Sequence, residues 1–430
     1  MNPENQFAFL PRLESRIDHL YTSLDMLVDI GHYEAALPLV KILFPYWETY
    51  EKLGDGIDWL LRFAQPIEMR QIERKSLPEY YWMLGTLLRH QSEYQRAATY
   101  YERGLEHSID AGDHRSLVSM FIGLGEVAFR RGDYDRASSF YRSYLDIGQQ
   151  EGNDRYIADA VNGLGRLATI KGNFSEALEY HEYGKSLCEK NNYQMGSAWM
   201  FNALGELERS RRNDRKAVGY FQESASLFDK LGNRGAYMLA LQNLAFANLA
   251  NNSARSGETF ARTLKFWRQG PAKHGMALSI IGLSRFEISR GLIRQAAHRL
   301  VSASRLLGQI GARLELGDSL DYEIALDRIR KKLGEAHFQM LFERAEDANL
   351  ASILEMESEV KTNGRSLGTL TQKETVLLTL IAQGLTDKEV AERLTISPHT
   401  VNAHLKSIYR KLSVKNRTAA VAVAKGHGLI

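Results

Sequence analysis

The chain has 430 residues, 44% hydrophobic and 25% charged, the balance of an ordinary globular protein, and no apolar run reaches the ~18 residues of a bilayer span, so no membrane role is expected. Its net charge of +3 is unevenly spread: from Arg365 onward ten basic residues face four acidic ones, giving +6, while the preceding 45 basic and 48 acidic residues give −3. A localised basic footprint of this kind suits phosphate binding.

The first residues, Met1-Asn2-Pro3-Glu4-Asn5-Gln6, lack a basic stretch followed by an apolar core, so no secretory signal is read there and a cytoplasmic location is expected. Within 1–77, Gly31-His32-Tyr33 with Ala36, and Trp47 with Gly56-Ile57-Asp58-Trp59-Leu60, suggest two diverged helical hairpins acting as a cap.

Residues 78–312 repeat. Leu84, Leu124, Leu164, Leu204 and Leu244 are 40 residues apart, with Leu283 following after a one-residue slip. A small residue follows each leucine, and Ala97, Ala137, Ala177 and Ala217 come thirteen residues after the first four. Tyr100, Phe140, Tyr180 and Tyr220, three positions beyond each alanine, are read as the rings that fill the gap beside the small residues. Gly132-Asp133, Gly152-Asn153 and Gly172-Asn173 punctuate the pattern as turns, so each unit is a helical hairpin that must stack on its neighbours to bury enough surface. The spacing and landmark residues resemble the tetratricopeptide repeat in a version with longer helices. The resemblance implies an α-solenoid whose first helices line a concave groove.

Two residues before the repeat leucines stand Asn162, Asn202 and Gln242, three amides in successive units able to bond an extended peptide backbone. With Arg166 and Glu206 beside them they are the candidate groove for a peptide, protein or small-molecule effector. The alternative is a solvated helix face. Gly184-Lys185-Ser186 does not make a phosphate-binding loop, because Glu179 stands where its first glycine is required. The sole cysteine, Cys188, can neither form an intrachain disulfide nor build a cysteine-rich metal site, and packing is its expected role. No zincin helix, nucleophile elbow or dinucleotide fingerprint occurs, so no enzymatic activity, cofactor or metal is expected.

Residues 313–362 read as capping helices and a linker, with Leu333-Gly334-Glu335-Ala336 near the middle. In 363–430 the punctuation is dense. Thr371-Gln372-Lys373-Glu374 reads as a capping box opening a helix with an apolar face of Val376, Leu377, Leu380 and Ile381. Thr386-Asp387-Lys388-Glu389 opens a second helix in the same way, and Ser397 caps a third that starts at Pro398. In that third helix Val401, Leu405, Ile408 and Leu412 form one stripe, while His399, Asn402, Ala403, Lys406 and Arg410 lie about 100–200° away.

Leu370-Thr371, Ala382-Gln383-Gly384, Lys388-Glu389-Val390-Ala391, Ser397-Pro398-His399-Thr400-Val401, Lys411-Leu412 and Asn416-Arg417-Thr418-Ala419 together resemble the LuxR-type (NarL/GerE) helix-turn-helix. That resemblance implies an all-α chain, a tetratricopeptide-like solenoid followed by a four-helix DNA-binding domain. It also implies that the third helix enters the major groove of double-stranded DNA and that a homodimer binds two half-sites. The candidate contacts are Lys388, Ser397, His399, Thr400, Asn402, Ala403, His404, Lys406, Arg410 and Lys411. Thr400 could instead support its own helix start, and His404 could hold a neighbouring turn. Asn402 departs from the lysine common at its position, so the target sequence cannot be taken from relatives. The tryptophans, the Leu333-Gly334-Glu335-Ala336 element and the domain order further resemble the repeat region of large multidomain (MalT-like) LuxR-type regulators. These features imply a transcriptional regulator; the alternative is a repeat scaffold whose C-terminal bundle binds protein.

Overall fold

The computed structural model describes residues 10–50, 52–249, 253–270, 272–344, 372–394, 396–411, 414 and 416–426, and every regular element among them is helical. The chain forms two compact units, residues 1–348 and 349–430.

The first unit opens with α1 (Leu10–Glu14), α2 (Ile17–Asp29), α3 (Tyr33–Thr49), α4 (Leu53–Leu61) and α5 (Ala64–Glu68). They gather around Trp47, which is fully buried and donates its indole N–H to the Tyr21 hydroxyl at 2.8 Å. Six hairpins follow: α6 (Leu77–His90) with α7 (Tyr94–Ala111), α8 (His114–Arg131) with α9 (Tyr134–Glu151), and α10 (Asp154–Ile170) with α11 (Phe174–Lys190). Next come α12 (Gln194–Ser210) with α13 (Asp214–Lys230), α14 (Arg234–Ala247) with α15 (Ser253–Gln269), and α16 (Lys273–Ser289) with α17 (Ile293–Ile310).

A left-handed residue closes most of these helices. Ser92, Gly112, Gly132, Gly152, Gly172, Asn192, Arg212 and Gly232 fall every twenty residues, and all have positive φ. This conformation turns the next amide back onto the helix just ended, as Asp113 N–H to Ser108 O at 3.0 Å and Asp133 N–H to Ala128 O at 2.9 Å. The same Asp113 and Asp133 then cap the following helix through Ser116 and Arg136 amides. A single dipeptide thus ends one helix and starts the next.

The close approach within each hairpin corrects the sequence reading by one residue. The rings that fill the gap are Tyr101, Tyr141 and Phe221, with His181 in the corresponding place, whereas Tyr100, Phe140, Tyr180 and Tyr220 are only half-buried. A Cβ on Gly85 would come 2.9 Å from Tyr101, and one on Gly125, Gly165 or Gly205 would lie 2.5 Å from Tyr141, His181 or Phe221. Any side chain there would push the two helices apart.

The array curls back on its own beginning. The His274 amide, at the start of α16, donates to Ser92 Oγ at 3.0 Å although the residues are 182 apart, and His274 Nε2 lies 3.1 Å from Arg130 Nη1. After α17 the chain crosses to α18 (Leu316–Leu333) and α19 (Glu335–Arg344).

The second unit contains α20 (Gln372–Ala382), α21 (Asp387–Leu394), α22 (Pro398–Lys411) and α23 (Arg417–Gly426). Its core is Leu377, Leu378, Ile381, Val390, Ala391, Val401, Leu405, Ile408, Ala420 and Ala424. The expected face of α20 shifts: Val376 is 45% exposed, and Leu378 is buried in its stead. Residues 374, 377, 378 and 381 keep the i, i+3, i+4, i+7 spacing of one stripe, whereas 376 lies about 100° off it.

His181 yields a stability prediction. It is fully buried, neither ring nitrogen meets a hydrogen-bond partner, and burial pushes its pKa down to about 3. The unfolded ring titrates near 6.5, so the unfolded chain takes up a proton that the folded chain refuses, and stability falls as pH drops from about 6.5 toward 3. His181→Phe, restoring the ring seen in the next repeat, should stabilise by about 1–3 kcal/mol at pH 7.5 by removing unsatisfied polar atoms. Between pH 7.5 and 5.5 the variant should lose about 1.4 kcal/mol less than the parent, read from urea midpoints at the two pH values.

Candidate nucleic-acid interface and repeat groove

The second unit positions its third helix by local caps and two longer-range ties. Thr386 N–H donates to Glu389 Oε2 at 2.6 Å, and Glu389 N–H donates back to Thr386 Oγ1 at 3.4 Å, a reciprocal box that starts α21. Thr400 N–H donates to Ser397 Oγ at 3.1 Å, and the two hydroxyls lie 2.8 Å apart, fixing the start of α22. Glu374, almost fully buried, accepts from Ser407 Oγ at 2.8 Å and ties α20 to the middle of α22. Arg417 of α23 bonds Asp387 Oδ1 at 2.5 Å and also the Leu385 carbonyl, while Asn416 caps α23 through the Ala419 amide at 2.8 Å.

On α22, Val401, Leu405 and Ile408 are buried while Asn402 and Lys406, one turn apart, are exposed. Lys388 and Ser397 are exposed, and Thr400 and His404 are half-buried. Thr400 has its hydroxyl turned to Ser397, in the arrangement of a helix start. The side chains of His399, Ala403, Arg410 and Lys411 lie outside the described residues, as does Leu412. Among the described side chains of α22, a polar one, Asn402, and a basic one, Lys406, thus stand on the side opposite the apolar stripe.

In the first unit two of the three predicted groove amides, Asn202 and Gln242, are buried and bonded to neighbouring helices, while Asn162 is half-buried. Gln242 is fully buried, accepting from Trp267 Nε1 at 2.8 Å and donating to Gly275 O at 3.4 Å. Asn202 accepts from Asn243 Nδ2 at 3.1 Å, and Asn162 keeps its Oδ1 buried without a hydrogen-bond partner. The reason is helix phase: α14 packs against α15 and α16, so the position two before Leu244 faces Trp267 rather than open space.

Arg166 and Glu206 sit, mostly buried, among ionic partners that the sequence did not announce. Arg166 pairs with Glu126 at 2.5 Å and with Glu315 at 3.1 Å; Arg130 reaches the same Glu315 carboxylate oxygen at 3.0 Å. Arg209, 2% exposed, holds Glu206 at 2.8 Å, Asp318 at 2.5 Å and Asp321 at 3.0 Å, and Arg285 lies 3.3 Å from Asp321. Burial works to raise the Glu315 carboxyl, yet Arg166 and Arg130 outweigh it and hold it down to about 2. At Glu206 burial prevails over Arg209 and raises the carboxyl. Arg166, Thr169, Ala203, Glu206, Ser210 and Glu315 also line a recess with about 10 Å³ of free volume, room for one water.

A capped three-helix core that exposes one face of its third helix defines a helix-turn-helix of the DNA-binding class. Residues 368–424 match the family of bacterial regulatory proteins of the luxR type, and residues 77–150 and 117–190 match the tetratricopeptide repeat, so the chain joins a LuxR-family domain to tetratricopeptide repeats. It is 46% identical over 69 residues to the HTH-type transcriptional regulator AlkS of Alcanivorax borkumensis, a match covering 16% of this chain and 8% of that protein. It is 38% identical over 81 residues to the transcriptional regulatory protein YdfI of Bacillus subtilis, covering 19% and 38%. A Rap protein crystallised with Competence and Sporulation Factor is similar at 14% identity and a TM-score of 0.49, over 74% of this chain and 99% of that one.

Breaking the ionic cluster gives the second prediction. Arg209→Ala should cost about 3–5 kcal/mol, because Asp318 and Asp321 lose a buried partner. Lys331→Ala, in an exposed pair with Asp327, should cost about 0.5 kcal/mol or less. Chemical denaturation of the full chain separates the two.

Proposed function

We propose that this protein is a sequence-specific, non-enzymatic DNA-binding transcriptional regulator whose repeat unit receives an effector. The observation that carries the reading is the placement of Asn402 and Lys406 on the exposed side of α22, with Val401, Leu405 and Ile408 buried opposite and the starts of α21 and α22 both capped. The match of residues 368–424 to the luxR-type regulatory family supports it. His399, Ala403, Arg410 and Lys411 complete the proposed surface on the same helix, and Lys388 and Ser397 flank it.

Asn402 reads a base edge, where an amide pairs bidentately with adenine, and Lys406 neutralises a phosphate. One such helix makes few contacts, so a homodimer on two half-sites about 34–36 Å apart supplies the affinity. The protein acts in the cytoplasm, where both DNA and an intracellular effector are at hand.

Footprinting of the full chain on its own upstream DNA, with and without cell extract, tests the role. Binding should weaken linearly in log salt. Lys406→Ala should lower affinity on every sequence and make the slope shallower by about 0.9 for each phosphate left unneutralised. Asn402→Ala should leave the slope unchanged and lose about 1–3 kcal/mol of discrimination at one base pair. A flat salt response would make the C-terminal unit a protein-binding bundle instead.

A further inference from the structure

Four first helices of the repeats each bring one arginine to the same acidic segment: Arg130 from α8, Arg166 from α10, Arg209 from α12 and Arg285 from α16. Across them lies the chain's own segment between α17 and the first turns of α18. Its carboxylates at 315, 318 and 321 are three residues apart, so they share one side of a helical turn. Glu315 bridges Arg130 and Arg166, and Asp321 bridges Arg209 and Arg285, while Asp318 adds a second bond to Arg209.

Main-chain recognition accompanies the charges. Arg313 N–H donates to the Arg130 carbonyl at 2.7 Å, in the manner of a bound peptide. Gly317 lets the Arg209 guanidinium approach its backbone; a Cβ there would sit 2.9 Å from the guanidinium carbon. Within 315–321 the buried positions are Gly317, Asp318 and Asp321, none of them apolar side chains of any size. Between Ala312, which packs on the core, and the fully buried Ala325 and Ile329 further along α18, this stretch is held mainly by ion pairs, whose Coulomb gain is largely offset by desolvation. Withdrawing it would leave Arg166 with Glu126 and Arg209 with Glu206, and would strip Arg130 and Arg285 of the carboxylates that Glu315 and Asp321 bring them, leaving an excess of positive charge that recruits carboxylates.

We propose that this arginine ladder is a receptor for an acidic peptide carrying carboxylates at i, i+3 and i+6, and that residues 313–321 occupy it here as a tethered internal ligand. The proposal rests on the reading of the repeat unit as an effector receiver and names the effector's chemical class. A single small anion is a poorer fit, since the ladder spans four helices and one carboxylate meets at most two of its arginines. Exchange is one-for-one: each carboxylate of an incoming peptide takes over a guanidinium that an internal one leaves. α18 lies between the repeats and the DNA-binding unit in sequence, with α19 following it, so exchange acts on the part of the chain that links the two.

The experiment uses the full chain and a labelled synthetic peptide with the sequence of residues 312–324, together with its Gln/Asn counterpart at 315, 318 and 321. A tethered segment competes at an effective concentration of about millimolar, so wild type should bind the peptide weakly, and Glu315→Gln/Asp318→Asn/Asp321→Asn should bind it about tenfold or more tightly. The neutral peptide should bind neither. A second measurement needs no variant: millimolar acidic peptide should speed hydrogen exchange of amides 316–333 in wild type, and the neutral peptide should not. Unchanged exchange, or equal binding of the two peptides by a triple variant with native helical content, would overturn the receptor. DNA affinity measured in the same samples tests the regulator role separately. Tight, charge-dependent peptide binding with no DNA binding under any condition would sink the regulator and leave the receptor standing, whereas salt-dependent DNA binding with no peptide effect would do the reverse.

Discussion

A guanidinium keeps its proton throughout the pH range of folded proteins, so burying one obliges the chain to bring carboxylates to it. Arg209 is 2% exposed, and much of the first unit follows from that constraint. Glu206, one turn earlier on the same helix, supplies one partner, but Asp318 and Asp321 arrive from 109 and 112 residues away. Their arrival fixes where α18 starts, and Gly317 is the residue that lets the guanidinium lie against it. The curl of the array, closed by Ser92 and His274, brings the contributing helices into reach of a single segment.

The hairpins were legible in the sequence because their landmarks recur at a fixed interval, and a recurring residue needs only a neighbour's geometry to explain it. The one-residue error in the packing ring has a local cause. Tyr100-Tyr101, Phe140-Tyr141 and Tyr220-Phe221 put two rings side by side, and only the phase of the helix against its partner decides which one enters. The arginine ladder was hidden for the opposite reason. Its members stand at different offsets from the repeat leucines, two residues after for Arg166 and Arg285, five for Arg209 and six for Arg130, so no periodic reading aligns them. Their partners come from outside the repeat altogether. Gln242 failed in yet another way, since an amide two before a repeat leucine faces a groove only if no tryptophan of the next helix claims it.

The helix-turn-helix unit was easier to read because its capping contacts span three residues. Thr386 with Glu389 and Ser397 with Thr400 are visible as spacings before any fold is known. Glu374 shows the limit. Its place in a Thr-x-x-Glu pattern predicts a cap with Thr371, which lies outside the described residues, whereas its bond to Ser407, 33 residues on, ties the first helix to the helix that carries Asn402 and Lys406. Burial of Leu378 rather than Val376 follows from the same docking, since Leu378 lies on the stripe that holds Glu374.

The two units are closed by different physics, and the difference bears on what each can do. Val401, Leu405 and Ile408 lock α22 onto an apolar core, so the face of the helix that carries Asn402 and Lys406 is held in one orientation on that core. An apolar closure of the groove would have been equally firm. A helix burying leucines there would gain about 25 cal/mol for every Å² removed from water, and a competitor would need the same shape to displace it. Carboxylates against guanidiniums ask only for charge at the right spacing, and their pairing is close to neutral against desolvation. A segment held by Glu315, Asp318 and Asp321 is thus well placed and cheap to exchange, and those are the two properties a tethered ligand needs if a free one is to replace it.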